Sequence, residues 1–86
     1  MIMTRKEKIV AVTYMADRLD AYFTFRKAGQ REEENQAFQQ FIGASSLFYA
    51  LYKNSVQVIA EMMREIEKYG RLVPWLIEGY ADRFEK

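Results

Sequence analysis

The sequence predicts an all-α protein, a small antiparallel helical bundle, on three observations. Apolar residues recur at alternating spacings of three and four from Phe38 to Tyr69, the repeat of one helix face. Thr4-Arg-Lys-Glu7 has the form of a capping box. Gly29, Gly70 and Pro74 fall where these periodic patterns stop or start. With 86 residues and no linker, internal repeat or low-complexity tract, the chain reads as a single helical domain, 1–86.

The first helix is expected over about residues 4–28, with Thr4 as N-cap. At 100° per residue, Lys6, Thr13, Asp17, Asp20, Thr24 and Lys27 share one narrow polar strip. Ile9, Val12, Met15, Ala16, Leu19, Tyr22 and Phe23 lie opposite, and Val10, Tyr14, Ala21 and Phe25 form a second apolar flank. A helix polar over so little of its circumference is expected to be covered on more than one side.

Gly29 suits the left-handed position that ends a helix, and Glu32, Glu33 and Glu34 suit the positive N-terminal end of the next. A short turn at Gly29-Gln30 therefore joins two antiparallel helices. The second keeps its phase from about residue 31 to 69 through Phe38, Phe41, Ser45, Phe48, Tyr52, Ser55, Ile59, Met62, Ile66 and Tyr69, interrupted only by the two serines. Flanking positions (Ile42, Tyr49, Val56, Met63; Ala37, Ala44, Leu51, Val58) are apolar as well, so heptad positions a, d, e and g are all filled. Such a stripe is wider than a two-stranded seam requires. A break near residues 53–55 competes with a continuous helix, because Asn54 and Gln57 have capping-box spacing. No glycine or proline supports a reversal there and the phase crosses without a slip, so a continuous or kinked central helix is favoured and a four-helix chain is the alternative. Pro74 opens a last helix over about 73–84, with Val73, Leu76, Ile77, Tyr80 and Phe84 turned inward.

Composition excludes several kinds of chemistry. There is no cysteine and no histidine, which removes disulfides, the usual zinc sites, Cys–His and Ser–His catalytic pairs and histidine pH switching. No cofactor is expected. No apolar run approaches the roughly 20 residues of a membrane span, and no signal-peptide core is present, so a soluble, cytoplasmic protein is the expectation. Net charge is +1. Residues 1–31 carry seven Lys/Arg against three acids and residues 32–86 six against nine, an asymmetry that favours docking of the two parts.

Acidic residues do not converge. Glu61 and Glu65 are four apart, as are Glu78 and Asp82, while Glu32 to Glu34 are consecutive and point in three directions. Neighbouring Arg64 and Lys68 account for the first pair as surface ion pairing. Magnesium-dependent hydrolysis is thus disfavoured, and the protein is read as no enzyme.

The remaining candidates are surfaces. A continuous second helix would extend on the order of 55 Å, more than its short neighbours cover, and bare apolar flanks drive association. A homodimer sharing a core is expected. Tyr14, Phe25, Tyr49 and Trp75 are the candidate partner-binding aromatics, although Trp75 in Leu72-Val-Pro-Trp-Leu-Ile77 reads first as an anchor for the last helix. Gly43, Ser46 and Ala50 place small side chains on the face of the second helix opposite its stripe; they read first as ordinary exposed positions, with close approach of a partner's helix as the alternative. Arg5, Lys6 and Lys8 cluster at one end of the first helix and Arg26, Lys27 and Arg31 at the other, with Asp17 and Asp20 between. They are the candidate nucleic-acid contacts, but they form a poor stripe in one chain. The expected function is a non-catalytic protein-interaction module (regulator, inhibitor, adaptor or assembly subunit), with a nucleic-acid-binding accessory protein as the alternative.

Overall fold

Thr4 and Glu7 make the capping box that their spacing predicts. The Thr4 hydroxyl accepts from the Glu7 amide at 3.1 Å and the Glu7 carboxylate accepts from the Thr4 amide at 2.8 Å, satisfying donors that a helix start leaves unpaired. In the computed structural model, which describes residues 2–85, this cap opens α1 (Arg5–Lys27). The helix closes at Gly29 with φ of 73°. There the Gln30 amide donates to the Phe25 carbonyl and the Gly29 amide to the Arg26 carbonyl, the bonding pattern of a glycine-ended helix. The chain reverses into α2 (Arg31–Leu51), with three glutamates in its first turn, and α1 and α2 lie as an antiparallel hairpin.

The favoured continuous helix over 31–69 does not form. The chain takes the four-helix alternative: α2 ends at Leu51, Tyr52 is extended (φ −126°, ψ 129°), and α3 (Ser55–Tyr69) starts afresh. The physical reason lies about thirty residues downstream. Asn54 leaves its own helix end uncapped and spends its side chain on the segment after the last helix, donating to the Arg83 carbonyl at 2.7 Å and accepting from the Glu85 amide at 2.8 Å. The Lys53 amide donates to the Glu85 carbonyl at 2.9 Å. Phe84 fills the corner, its ring 4.5 Å from Phe48 and 5.6 Å from Tyr52. The Lys53 amide freed by the break is thus paired by a long-range partner, while the Ser55 amide donates locally to the Tyr52 carbonyl. α4 (Pro74–Arg83) carries Pro74 in its first turn, as expected.

One core joins all four helices. Val12, Met15 and Leu19 of α1, Phe48 of α2, and Ile59, Met62 and Ile66 of α3 are fully buried, with Tyr80, Ala81 and Phe84 completing it. Stripe residues from Phe41 to Ile66 are buried, including Ser45 and Ser55, while Phe38 is half-buried and Tyr69 stands outside. Ser45 turns its hydroxyl back to the Ile42 carbonyl at 3.1 Å, which satisfies it inside an apolar layer. The two serines therefore belong to the core without breaking it. Tyr52 is less well served: its hydroxyl oxygen is buried without a hydrogen-bond partner.

The central element is α1 and not the second helix. It packs against α2, α3 and α4 more extensively than any of them packs against another, which accounts for its broad buried face, while the Val10–Tyr14 flank stays exposed. With the long helix folded in two, the molecule measures 38 × 23 × 20 Å, and the continuous helix of about 55 Å, whose bare flanks are the ground of the dimer expectation, is absent.

Polar clasps hold the short α4 in place. Arg5 pairs with Asp82 through two hydrogen bonds of 2.8 and 3.1 Å, joining α1 to α4. Arg83 pairs with Glu61, and the Tyr80 hydroxyl donates to Glu65, joining α4 to α3. Glu61 and Glu65 thus face α4, in place of the intrahelical pairing with Arg64 and Lys68 that their spacing suggests. Trp75 is 71% exposed, so the anchors of this segment are Leu72, Tyr80 and Phe84.

Candidate functional site

The hairpin of α1 and α2 has two sides. One carries α3 and α4; the other holds an open apolar groove of about 560 Å³. From α1 come Lys6, Glu7, Val10, Ala11 and Tyr14, and from α2 Gly43, Ala44, Leu47 and Phe48. The groove follows from periodicity. Val10 and Tyr14 are four apart on the α1 flank that turns away from Val12, Met15 and Leu19, and Gly43 and Leu47 are four apart on α2 opposite Phe41, Ser45 and Phe48. Val10 is 64% exposed, Tyr14 45% and Leu47 43%. At Gly43 an added Cβ meets nothing within 4 Å, so the floor there is bare backbone open to an approaching side chain.

Polar groups stand only at the ends. Lys6 and Glu7 mark one end. One turn beyond Tyr14 and Gly43, Arg18 donates to the Gln40 side chain at 2.8 Å and to Asp17, bridging α1 and α2 at the other. A second observation extends the surface: from Asn35 to Tyr52 no residue is charged. The outward residues of α2, among them Gln36, Gln39, Gly43, Ser46, Leu47 and Ala50, are all exposed and all neutral. Depletion of charge at the centre of a patch distinguishes interfaces from ordinary surface. Beyond the small-residue row, the far edge of α2 exposes Ile42 and Tyr49.

Of the candidate aromatics, Tyr14 alone lines the groove. Phe25 is half-buried three turns further along α1, Tyr49 lies across the α2 face, and Trp75 projects from α4; the four form no single patch. Val10 and Leu47 were not among the candidates. Val10 was legible as part of the second α1 flank. Leu47 lies off the buried stripe, beside Gly43 and Ser46, and a large apolar residue on an otherwise small and neutral face is the signal that marks it.

The basic candidates stay in two groups at opposite ends of α1. Arg5 is neutralised by Asp82, and that guanidinium in turn holds the Asp82 carboxyl below its ordinary range through its hydrogen bonds. Lys8 lies over the Tyr52 ring at 5.8 Å, while Lys6 borders the groove. At the other end Arg26 and Arg31 border a polar depression of about 580 Å³ with Glu34 and Asn35, and Lys27 is exposed. No continuous positive stripe results. Among the described residues no group of three or more acidic side chains is arranged to hold a metal, and no helix is long and apolar enough to cross a membrane. Comparison of the chain with protein-family models, with curated proteins and with solved structures finds no match.

Proposed function

We infer that this protein is a non-catalytic interaction module whose docking face is the groove between α1 and α2 together with the uncharged outer face of α2. One observation carries the reading: an open groove along the hairpin is apolar along its length, walled by Val10, Tyr14 and Leu47, with Gly43 beside them. Water gains by being displaced from such a surface, and its dimensions suit an amphipathic helix that seats apolar residues at helical spacing between the walls. Placing the groove on two helices backed by a shared core keeps it open and pre-formed, which lowers the ordering cost of docking. The module acts as a regulator, inhibitor, adaptor or assembly subunit by offering this face.

A photo-crosslinking residue placed at Leu47 and, as control, at Glu67 on the exposed face of α3 tests this in the native cell. The reading predicts discrete covalent protein adducts from position 47 and none of comparable yield from position 67. Equal, diffuse labelling from both positions would sink it.

A further inference from the structure

We propose that the occupant of the groove is a second copy of this chain, docked hairpin to hairpin across a two-fold axis. This rests on the groove being a docking face, and adds self-complementarity at one register. Let the axis lie in the plane of the face and run across the helices, level with Val12 and Ser45. It then sets α1 antiparallel on the second copy's α1 and α2 antiparallel on its α2, a four-helix layer with isologous contacts.

At that register the groove residues match. Val10 of each copy meets Tyr14 of the other, and Leu47 of each copy projects over Gly43 of the other, where no Cβ occupies the space. A large side chain thus enters the gap left by a missing one, twice. Charges match on the same alignment. Lys6 and Asp17 lie on the outer edge of α1, Glu7 and Arg18 on the edge nearer α2. Antiparallel stacking brings Lys6 to Asp17 of the second copy and Glu7 to Arg18, opposite signs in all four contacts. The other in-plane two-fold, running along the helices, would set α1 of one copy over α2 of the other, where residues 35–52 offer no charge to pair with these four. Small, neutral Gly43, Ser46 and Ala50 let the α2 backbones approach without stranding a charge.

The size of the face sets the strength. Two helices side by side present roughly 30 × 20 Å, so pairing covers on the order of 600 Å² per copy, about 1,200 Å² in all, at the low end of specific interfaces. The dimer is therefore concentration-dependent and weak enough for another helix to replace one copy, which is compatible with a regulator.

The chain's lack of cysteine makes the register directly readable. Val10→Cys and Tyr14→Cys are prepared separately, and oxidised alone and mixed, while solution mass is followed over micromolar to millimolar concentration. Expected is a rise from the 10.2 kDa of one chain to twice that. In the mixture, disulfides joining position 10 of one copy to position 14 of the other should form at least tenfold faster than either variant crosslinks to itself. Lys6→Glu should return the mass to one chain, and Lys6→Glu with Asp17→Lys should restore the dimer. A chain monomeric at millimolar concentration overturns self-pairing, yet leaves the docking reading standing if position 47 still crosslinks to another protein in cells. A dimer with no preference for the mixed pair, or one indifferent to the charge swap, overturns this register.

Discussion

Tyr52 and Tyr80 show how differently two buried phenols are treated. Tyr52 sits in the corner between α2 and α3 with its ring against Phe48 and Phe84, and its hydroxyl has no partner. An unpaired buried hydroxyl costs about 1–3 kcal/mol, so Tyr52→Phe is expected to stabilise the fold by about 1 kcal/mol in urea denaturation. Tyr52→Ala opens a cavity and is expected to cost about 3 kcal/mol or more. Tyr80 donates to Glu65, and burial, reinforced by that hydrogen bond and the Glu65 charge, pushes its phenol from 10.0 up to about 12. The folded state therefore holds this proton more tightly than the unfolded chain. The resulting stability is full below pH 10 and is lost as pH rises through about 12. Unfolding midpoints measured at several pH values from about 9 to 12 should fall along this limb, and the fall should be shallower in Tyr80→Phe. On the acid side Glu7 and Asp82, each held below its ordinary value by a hydrogen bond, contribute stability above their unfolded values that disappears as pH drops through the folded ones.

At the scale of elements, the break between α2 and α3 is the feature hardest to read in the chain. Its local signal is weak, an asparagine without glycine or proline, and the apolar phase continues through it because both helices pack on the same core. What decides it is Asn54 meeting Arg83 and Glu85, and Phe84 filling the corner, contacts that no local pattern encodes. Asn54→Ala removes two of these hydrogen bonds and is expected to destabilise by about 1 kcal/mol. Phe84→Ala empties the corner and should cost about 3–5 kcal/mol, both read by thermal or urea unfolding. The other element ends were legible because their causes are local. Thr4 and Glu7 are one turn apart, Gly29 and Gly70 adopt φ of 73° and 94°, and Pro74 sits where a missing amide does no harm. The buried stripe was legible for the same reason, while the identity of α1 as the hub was not, since it depends on which helices fold back over it.

Across the whole molecule, the surface divides into a clasped side and an open side. Ion pairs and hydrogen bonds fasten α4 to α1 and α3, and the opposite face of the hairpin carries Val10, Tyr14, Gly43 and Leu47 with no charge on α2 beyond its first turn. Half of that groove could be read in advance, from the Val10–Tyr14 flank and the small row Gly43, Ser46 and Ala50. That the two halves lie side by side required the hairpin. Exposed substitutions away from caps and clasps usually change stability by less than about 0.5 kcal/mol, so Val10→Glu with Leu47→Glu should leave the melting curve close to that of the parent chain while placing charge on the docking face. The most direct measurement is the native assembly mass of the chain in cell extract at physiological salt, for the parent and this folded double variant. The parent is predicted to run in an assembly larger than one chain and the variant to lose it; if both run as the same single chain, or both stay in the same assembly, the groove is not the docking face.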